Sequence, residues 1–260
     1  MSDLNWFAYH PTNSAAPARV FCFAHAGGNP RAYLDWQRLL EHDAQVVAVC
    51  PPGPRRDDQP ALTSVADLAA AAAVALSTAM DRPSYLFGHS LGALVAFEVA
   101  RRLRDHPQLY RLIASGCAAP SLLPSERVRR IAHLQGREFA EAVAFFGGLP
   151  NEVLADDDLR ELLLPAVAAD FRLVAHYRYR PAAPLSLPVS LVNGRDDPHI
   201  DASTLDPWRR ESQEEPDRHW AEGGHFYLVQ QPSAPVKLIR SFLRDDALGA
   251  MSAGTHTELI

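Results

Sequence analysis

Along most of the chain, short apolar runs alternate with stretches of helical periodicity. ARVFCFA (18–24), QVVAVC (45–50), SYLF (84–87), LYRLIASGC (109–117), LPVSLVNG (187–194) and the shorter RHWAEG (218–223) read as strands. They are rich in branched and aromatic side chains, and most stop at glycine or proline. Between them the pattern turns helical, at AYLDWQRLLEH (32–42), in the alanine-rich 63–80, in LVAFEVARRL after residue 90, and over about 233–243. Ser64 with Asp67 three residues on has the form of a capping pair. Strands apolar on both faces, separated by helices, predict an α/β fold with a mostly parallel sheet covered on both sides.

Residues 121–182 break this rhythm. The stretch reads as helical throughout, with breaks at Gly147-Gly148, Pro150 and Pro165, and it falls between two strands. It is expected to be a helical insertion over one sheet edge. The last stretch, DDALGAMSAGTHTELI, is small and polar, so residues 246–260 are expected to form a flexible tail to a single domain spanning 1–245.

Composition narrows the class. The 260 residues suit one α/β domain, and 47% hydrophobic with 22% charged is ordinary for a globular protein. A net charge of −6 argues against general nucleic-acid binding. The start MSDLNWFAYHP has no signal pattern and no run is long enough to span a bilayer, so a cytoplasmic protein is expected. Cys22, Cys50 and Cys117 are odd in number, widely spaced and set in or beside apolar runs, which predicts free thiols rather than disulfides or a metal site.

The chemistry starts at GHSLG (88–92), where a strand gives way to a helix. A sharp strand-to-helix turn puts its central residue in a strained conformation and needs small neighbours on both sides. Ser90 would then be exposed at the C-terminal edge of the sheet as a nucleophile, with the backbone N–H of Leu91 beside it at a helix N-terminus. The bare pattern occurs by chance; the strand before it and the helix after it are what narrow it. A serine hydroxyl needs a base, and in such folds the chain order is nucleophile, acid, histidine. His225, in AEGGHFYL after a short strand, is the candidate base; His176 and His199 are weaker, and His89 is read as a packing or hydrogen-bonding residue. The acid should end the strand at 187–194. The loop Gly194-Arg195-Asp196-Asp197-Pro198 favours Asp197, with Asp196 one step away as the alternative. It would hold the histidine tautomer and stabilise its imidazolium. The second oxyanion donor should come from FAHAGG (23–28), and Ala26 N–H is the choice.

At this point the sequence resembles the type II thioesterases that accompany polyketide synthases and non-ribosomal peptide synthetases, members of the α/β-hydrolase superfamily. The likeness runs from about Phe21 to Phe242, through FAHAGG, GHSLGALVAFEVAR (88–101), GGLP (147–150), DLRELLLP (158–165), ADFRL (169–173), YRYRP (177–181), the GRDDP loop and GGHFYL (223–228). The resemblance implies a triad of Ser90, Asp197 and His225 and an oxyanion hole of Ala26 and Leu91. It implies hydrolysis of acyl groups from the phosphopantetheine arm of an acyl- or peptidyl-carrier protein, with no metal or organic cofactor, in a monomer that meets neither nucleic acid nor membrane. The insertion would be a lid over an acyl slot, with Leu134, Phe139, Phe145, Phe146, Phe171 and Leu173 as candidate lining. Arg127, Arg129, Arg130 and Arg137 form a basic cluster at its start that could meet an acidic carrier. Two departures bear on the substrate entrance: the loop from Pro52 to Asp58 is one residue longer than the family's P-G-R-x-D-R, and Ala168 stands where an arginine is expected before A-D-F.

The residues leave rivals. An esterase, or an acyltransferase using an alcohol or amine in place of water, would carry the same triad. A non-catalytic binding protein would be expected to have lost a triad member, and a metal hydrolase would need a paired ligand motif that the sequence lacks.

Overall fold

The structure, a computed structural model, describes residues 6–9, 15–52, 62–145, 149 and 151–254. The elements run β1 (Phe7–Tyr9), β2 (Arg19–Phe23), α1 (Gln37–Leu40), β3 (Gln45–Val49), α2 (Val65–Ala79), β4 (Ser84–His89), α3 (Leu91–Arg102) and β5 (Leu109–Ser115). There follow α4 (Glu126–Ile131), α5 (Gly136–Ala144), α6 (Asn151–Ala155), α7 (Asp157–Ala175), β6 (Val189–Gly194), α8 (Ala202–Leu205), β7 (Asp217–Ala221), α9 (Tyr227–Gln230) and α10 (Ser233–Gly254). The strands form one sheet in the order β1-β3-β2-β4-β5-β6-β7, parallel except for β1 against β3.

Alternation along the strands feeds two cores. Phe21, Val47, Leu86 and Leu112 point to the face covered by α2 and α3, against Leu68, Leu76, Leu94 and Phe97. Val20, Val46, Phe87 and Ile113 point to the other, against Trp36, Leu40, Ile239 and Phe242. β3, β4 and β6 are buried at every position, as doubly apolar strands require. The capping pair forms: Ser64 Oγ accepts from Asp67 N–H at 3.0 Å. All three cysteines are free thiols, and burial pushes the Cys117 thiol up to about 12.

The central stretch keeps a small core of its own, in which Ile131, Phe139, Ala140, Val143, Leu164 and Phe171 pack between α4, α5 and α7. Pro165 does not break the chain there. It lies inside α7. Both Pro165 and Glu161 are exposed, so the carbonyl left without its amide partner can turn to water while Leu164 and Phe171 hold the helix in place. Helix ends at Ala175, and residues 178–184 carry no helix, so the helical reading of 121–182 overshoots. At the other end α10 runs past Leu243, where the sequence pattern stopped it, because Asp246 binds the buried Arg111 through both carboxylate oxygens, Oδ2 at 3.0 Å from Nε. Phe146 and residues 53–58 lie outside the described residues. Among the described residues no helix is long and apolar enough to cross a membrane.

Candidate active site

β4 stops at His89 and α3 starts at Leu91, so Ser90 alone makes the turn, with φ 55° and ψ −117°. That positive φ is a strained position for a residue with a side chain. The turn is possible because its flanks are bare. A Cβ on Gly88 would lie 2.2 Å from Gly92 O, and one on Gly92 would lie 2.2 Å from Phe23 O. Ser90 therefore sits at the central strands' C-terminal ends, on the wall of a cavity of about 160 Å³.

His225 and Asp197 arrive from the neighbouring strands' ends. The loops after β6 and β7 are stitched backbone to backbone: Arg195 N–H donates to Ala221 O at 2.9 Å and Asp196 N–H to Gly223 O at 3.0 Å. The loops can close this far only because Gly194 is bare, since a Cβ there would lie 2.2 Å from Gly224 O. Asp197 Oδ2 then meets His225 Nδ1 at 2.7 Å, both side chains buried. The other carboxylate oxygen accepts from His199 N–H at 2.9 Å. Asp196, the alternative, is exposed. His225 lines the same cavity as Ser90.

The surroundings of His225 are mostly aromatic. The rings of His89, His199 and Phe226 pack at 4.9, 5.6 and 5.0 Å from it, and His25 packs on Phe226 at 4.8 Å. His89 is fully buried and its Nδ1 shares a proton with Ser115 Oγ at 2.9 Å, which in turn meets Tyr227 OH at 2.9 Å. Burial holds His89 well below the usual imidazole range, with the neighbouring His225 and His25 adding to it. Burial likewise brings His25 and His199 down to about 4. These rings are neutral at physiological pH.

The turn at 25–28 brings Ala26 to the cavity wall beside Leu91. Gly28 N–H closes the turn on His25 O at 2.9 Å, and Gly27 N–H donates to Asp170 Oδ2 at 2.7 Å. Among the described residues none accepts from the N–H of Ala26 or of Leu91, the latter being an orphan donor of the first helical turn. Two unspent donors thus border the space in front of Ser90.

The thioesterase domain family matches residues 18–244. The chain belongs to that thioesterase family. Thioesterase PikA5 of Streptomyces venezuelae is 34% identical over 227 residues, which cover 86% of this chain and 79% of PikA5. Linear gramicidin dehydrogenase LgrE of Brevibacillus parabrevis is 31% identical over 261 residues, 98% of each chain. Among solved structures, YbtT, a type II thioesterase from the yersiniabactin NRPS/PKS pathway, superposes with a TM-score of 0.79 at 29% identity, covering 93% of this chain and 99% of its own. The sheet and helices are those of the α/β-hydrolase fold.

In this thioesterase the far wall of the cavity comes from α4, α5 and α7 and from the loop between β5 and α4, through Leu123, Val128, Val143, Val167, Phe171 and Val174. Of the residues read from the sequence as lining, Phe171 alone among the described ones faces it. Phe139 instead stacks edge-on with Phe171 at 5.6 Å inside the helical core, Leu134 packs against that core and Leu173 against the sheet's. Phe145 is exposed beneath the Arg127 guanidinium, 4.2 Å from its ring centre. Arg129 and Arg130 are exposed, and Arg137 pairs with Glu141 at 2.9 Å. His176 caps the end of α7, away from the cavity. Sequence reasoning missed Gly116 and Asp170. Gly116, at φ +57°, ends β5 where a Cβ would lie 2.5 Å from His89 Cε1 and 3.2 Å from His225 Cε1. A glycine near the end of the strand predicted over 109–117 was the available signal.

Proposed function

We propose that this chain is a serine thioesterase that releases acyl groups from the phosphopantetheine arm of carrier proteins, clearing aberrant or stalled units from polyketide or non-ribosomal peptide assembly. The observation that carries it is the buried 2.7 Å pair of Asp197 and His225 on the same cavity as Ser90 at its strained turn. Asp197 fixes the tautomer with the proton on Nδ1, leaving Nε2 to act as base. Ser90 Oγ attacks the thioester carbonyl and its proton passes to His225. The oxyanion that forms is held by Ala26 and Leu91 N–H, each donor worth about 100- to 1000-fold in rate. Collapse expels the pantetheine thiolate, which takes the proton back from His225. A water deprotonated by the same histidine then attacks the acyl-serine, and the free acid leaves. These steps call for no metal or organic cofactor.

The helices α4 to α7 act as a lid, an insertion in a single domain, and their apolar wall takes the acyl group. Arg127, Arg129 and Arg130 offer a charge complement to an acidic carrier at the start of that lid. The protein works as a cytoplasmic monomer. The dehydrogenase name of one relative does not carry over, since a dinucleotide turn needs G-x-G and no two glycines of this chain stand two apart. An esterase or acyltransferase would use the same residues; adding an alcohol or amine acceptor and analysing products separates them.

The test is intact-mass analysis of an acyl-loaded carrier incubated with the wild-type protein and with Ser90→Ala. The expected result is loss of the acyl mass with wild type alone, leaving the free-thiol carrier. If both leave the carrier acylated while wild type still cleaves small esters, the carrier-editing function falls and the serine hydrolase stands.

A further inference from the structure

The A-D-F stretch on α7 takes no part in the steps above, yet it touches the oxyanion turn. Val167 and Asp170 lie three residues apart on one face of α7, and both grip Gly27. Asp170 Oδ2 accepts from Gly27 N–H at 2.7 Å. On the same glycine a Cβ would lie 2.6 Å from Val167 Cγ2, and its φ of +72° is one that a side chain would strain. The amide Asp170 holds is the next one along from Ala26 N–H, so it fixes the peptide plane that follows Ala26 and with it the aim of the oxyanion donor.

Asp170 is an uneconomical choice for mere packing. It is half-buried, and among the described residues no cationic side chain pairs with it. Burial raises its carboxyl above the usual range, opposed only by the Gly27 hydrogen bond. A lone carboxylate near a developing oxyanion would also repel it. What the position needs is an acceptor of fixed reach rather than a charge.

We infer that Asp170 is a positioning residue: from the lid helix α7 it latches Gly27 N–H and thereby holds Ala26 N–H on the oxyanion, so that the lid's seat and a formed oxyanion hole are one state. The inference rests on the serine reading above. Asp170→Asn keeps an oxygen acceptor at the same reach, and Asp170→Ala removes it. Turnover of an acyl-N-acetylcysteamine thioester is measured for wild type and both variants, normalised to the fraction of chains whose Ser90 is labelled by a fluorophosphonate. That correction removes any loss from misfolding. With Asp170→Ala, kcat is expected to fall by about 10- to 100-fold with KM unchanged, part of what a whole oxyanion donor supplies. Asp170→Asn should stay within about threefold of wild type on the same grounds. A trifluoromethyl ketone of the same acyl chain, whose adduct carries an oxyanion, should lose affinity for Asp170→Ala by a factor matching kcat, while the product acid does not. If wild type is labelled at Ser90 but Asp170→Ala keeps its normalised kcat, or Asp170→Asn falls as far as Asp170→Ala, the latch is overturned and the serine mechanism stands. If Ser90 of the wild type takes no label, the serine reading falls and the latch with it.

Discussion

Gly116 ends β5 beside two imidazoles, and the missing side chain is what lets them approach. Replacing it by alanine sets a methyl against His89 and, 3.2 Å off, against His225. The left-handed backbone adds about 1 kcal/mol of strain. Because the proposed mechanism needs His225 to reach the Ser90 hydroxyl, kcat/KM is expected to fall by about 100-fold. Gly136 gives the control: its φ is +51° but a Cβ there meets nothing within 4 Å. Gly136→Ala should carry the same backbone cost and leave turnover intact. Steady-state kinetics on both variants, with unfolding midpoints alongside, separates a displaced histidine from a strained turn.

At the level of elements, α10 illustrates what a local pattern omits. The hydrophobic periodicity fades after Leu243, yet the helix goes on, held by a contact more than a hundred residues distant in sequence. Arg111, on the interior strand β5, is 8% exposed and binds Asp246, 14% exposed, together with Ser190 and the more open Asp217. Removing Asp246 would leave a buried guanidinium short of its principal partner. Asp246→Ala is expected to lower stability in urea unfolding by on the order of 3 kcal/mol, against about 0.5 kcal/mol or less for exposed Asp245→Ala. Similar reasoning explains what could be read from the sequence. The parallel strands and the helices α2 and α3 were legible because burial on one face or both writes itself into local composition. The meeting of Asp197 with His225, and of His225 with Ser90 on one cavity, was legible because strand ends mark where side chains can converge. The three-residue β1 was not, being defined by its register with β3, Phe7 against Val49. Nor was Asp170, whose partner is a backbone amide 143 residues away.

For the molecule as a whole, the neutral histidines make folding sensitive to acid. Unfolded imidazoles take a proton near 6.5, whereas His25 and His199 do so at about 4 and burial holds His89 well below the usual range. Below about 6.5 the unfolded chain therefore binds more protons than the native one, so stability is full above that pH and is lost as pH falls towards 4. Asp170, with its raised carboxyl, contributes with the opposite sign. Glu211 is raised as well and His219 is lowered, so four histidines against two carboxyls set the net direction. Urea midpoints measured between pH 7.5 and 4.5 should fall steadily below 6.5, and His25→Phe should flatten part of the slope. A midpoint constant across that range would refute neutral burial of the cluster.

The bare turns have a consequence for inheritance. Glycine is encoded by GGN, and every missense change of one nucleotide in such a codon installs a side chain. At Gly88, Gly92 and Gly194 any such side chain starts with a carbon 2.2 Å from a backbone oxygen, closer than two non-bonded atoms can stand. Those codons can vary silently at their third base and hardly anywhere else. The stretches that shape this active site are thus ones in which a lineage can change its DNA while its protein stands still.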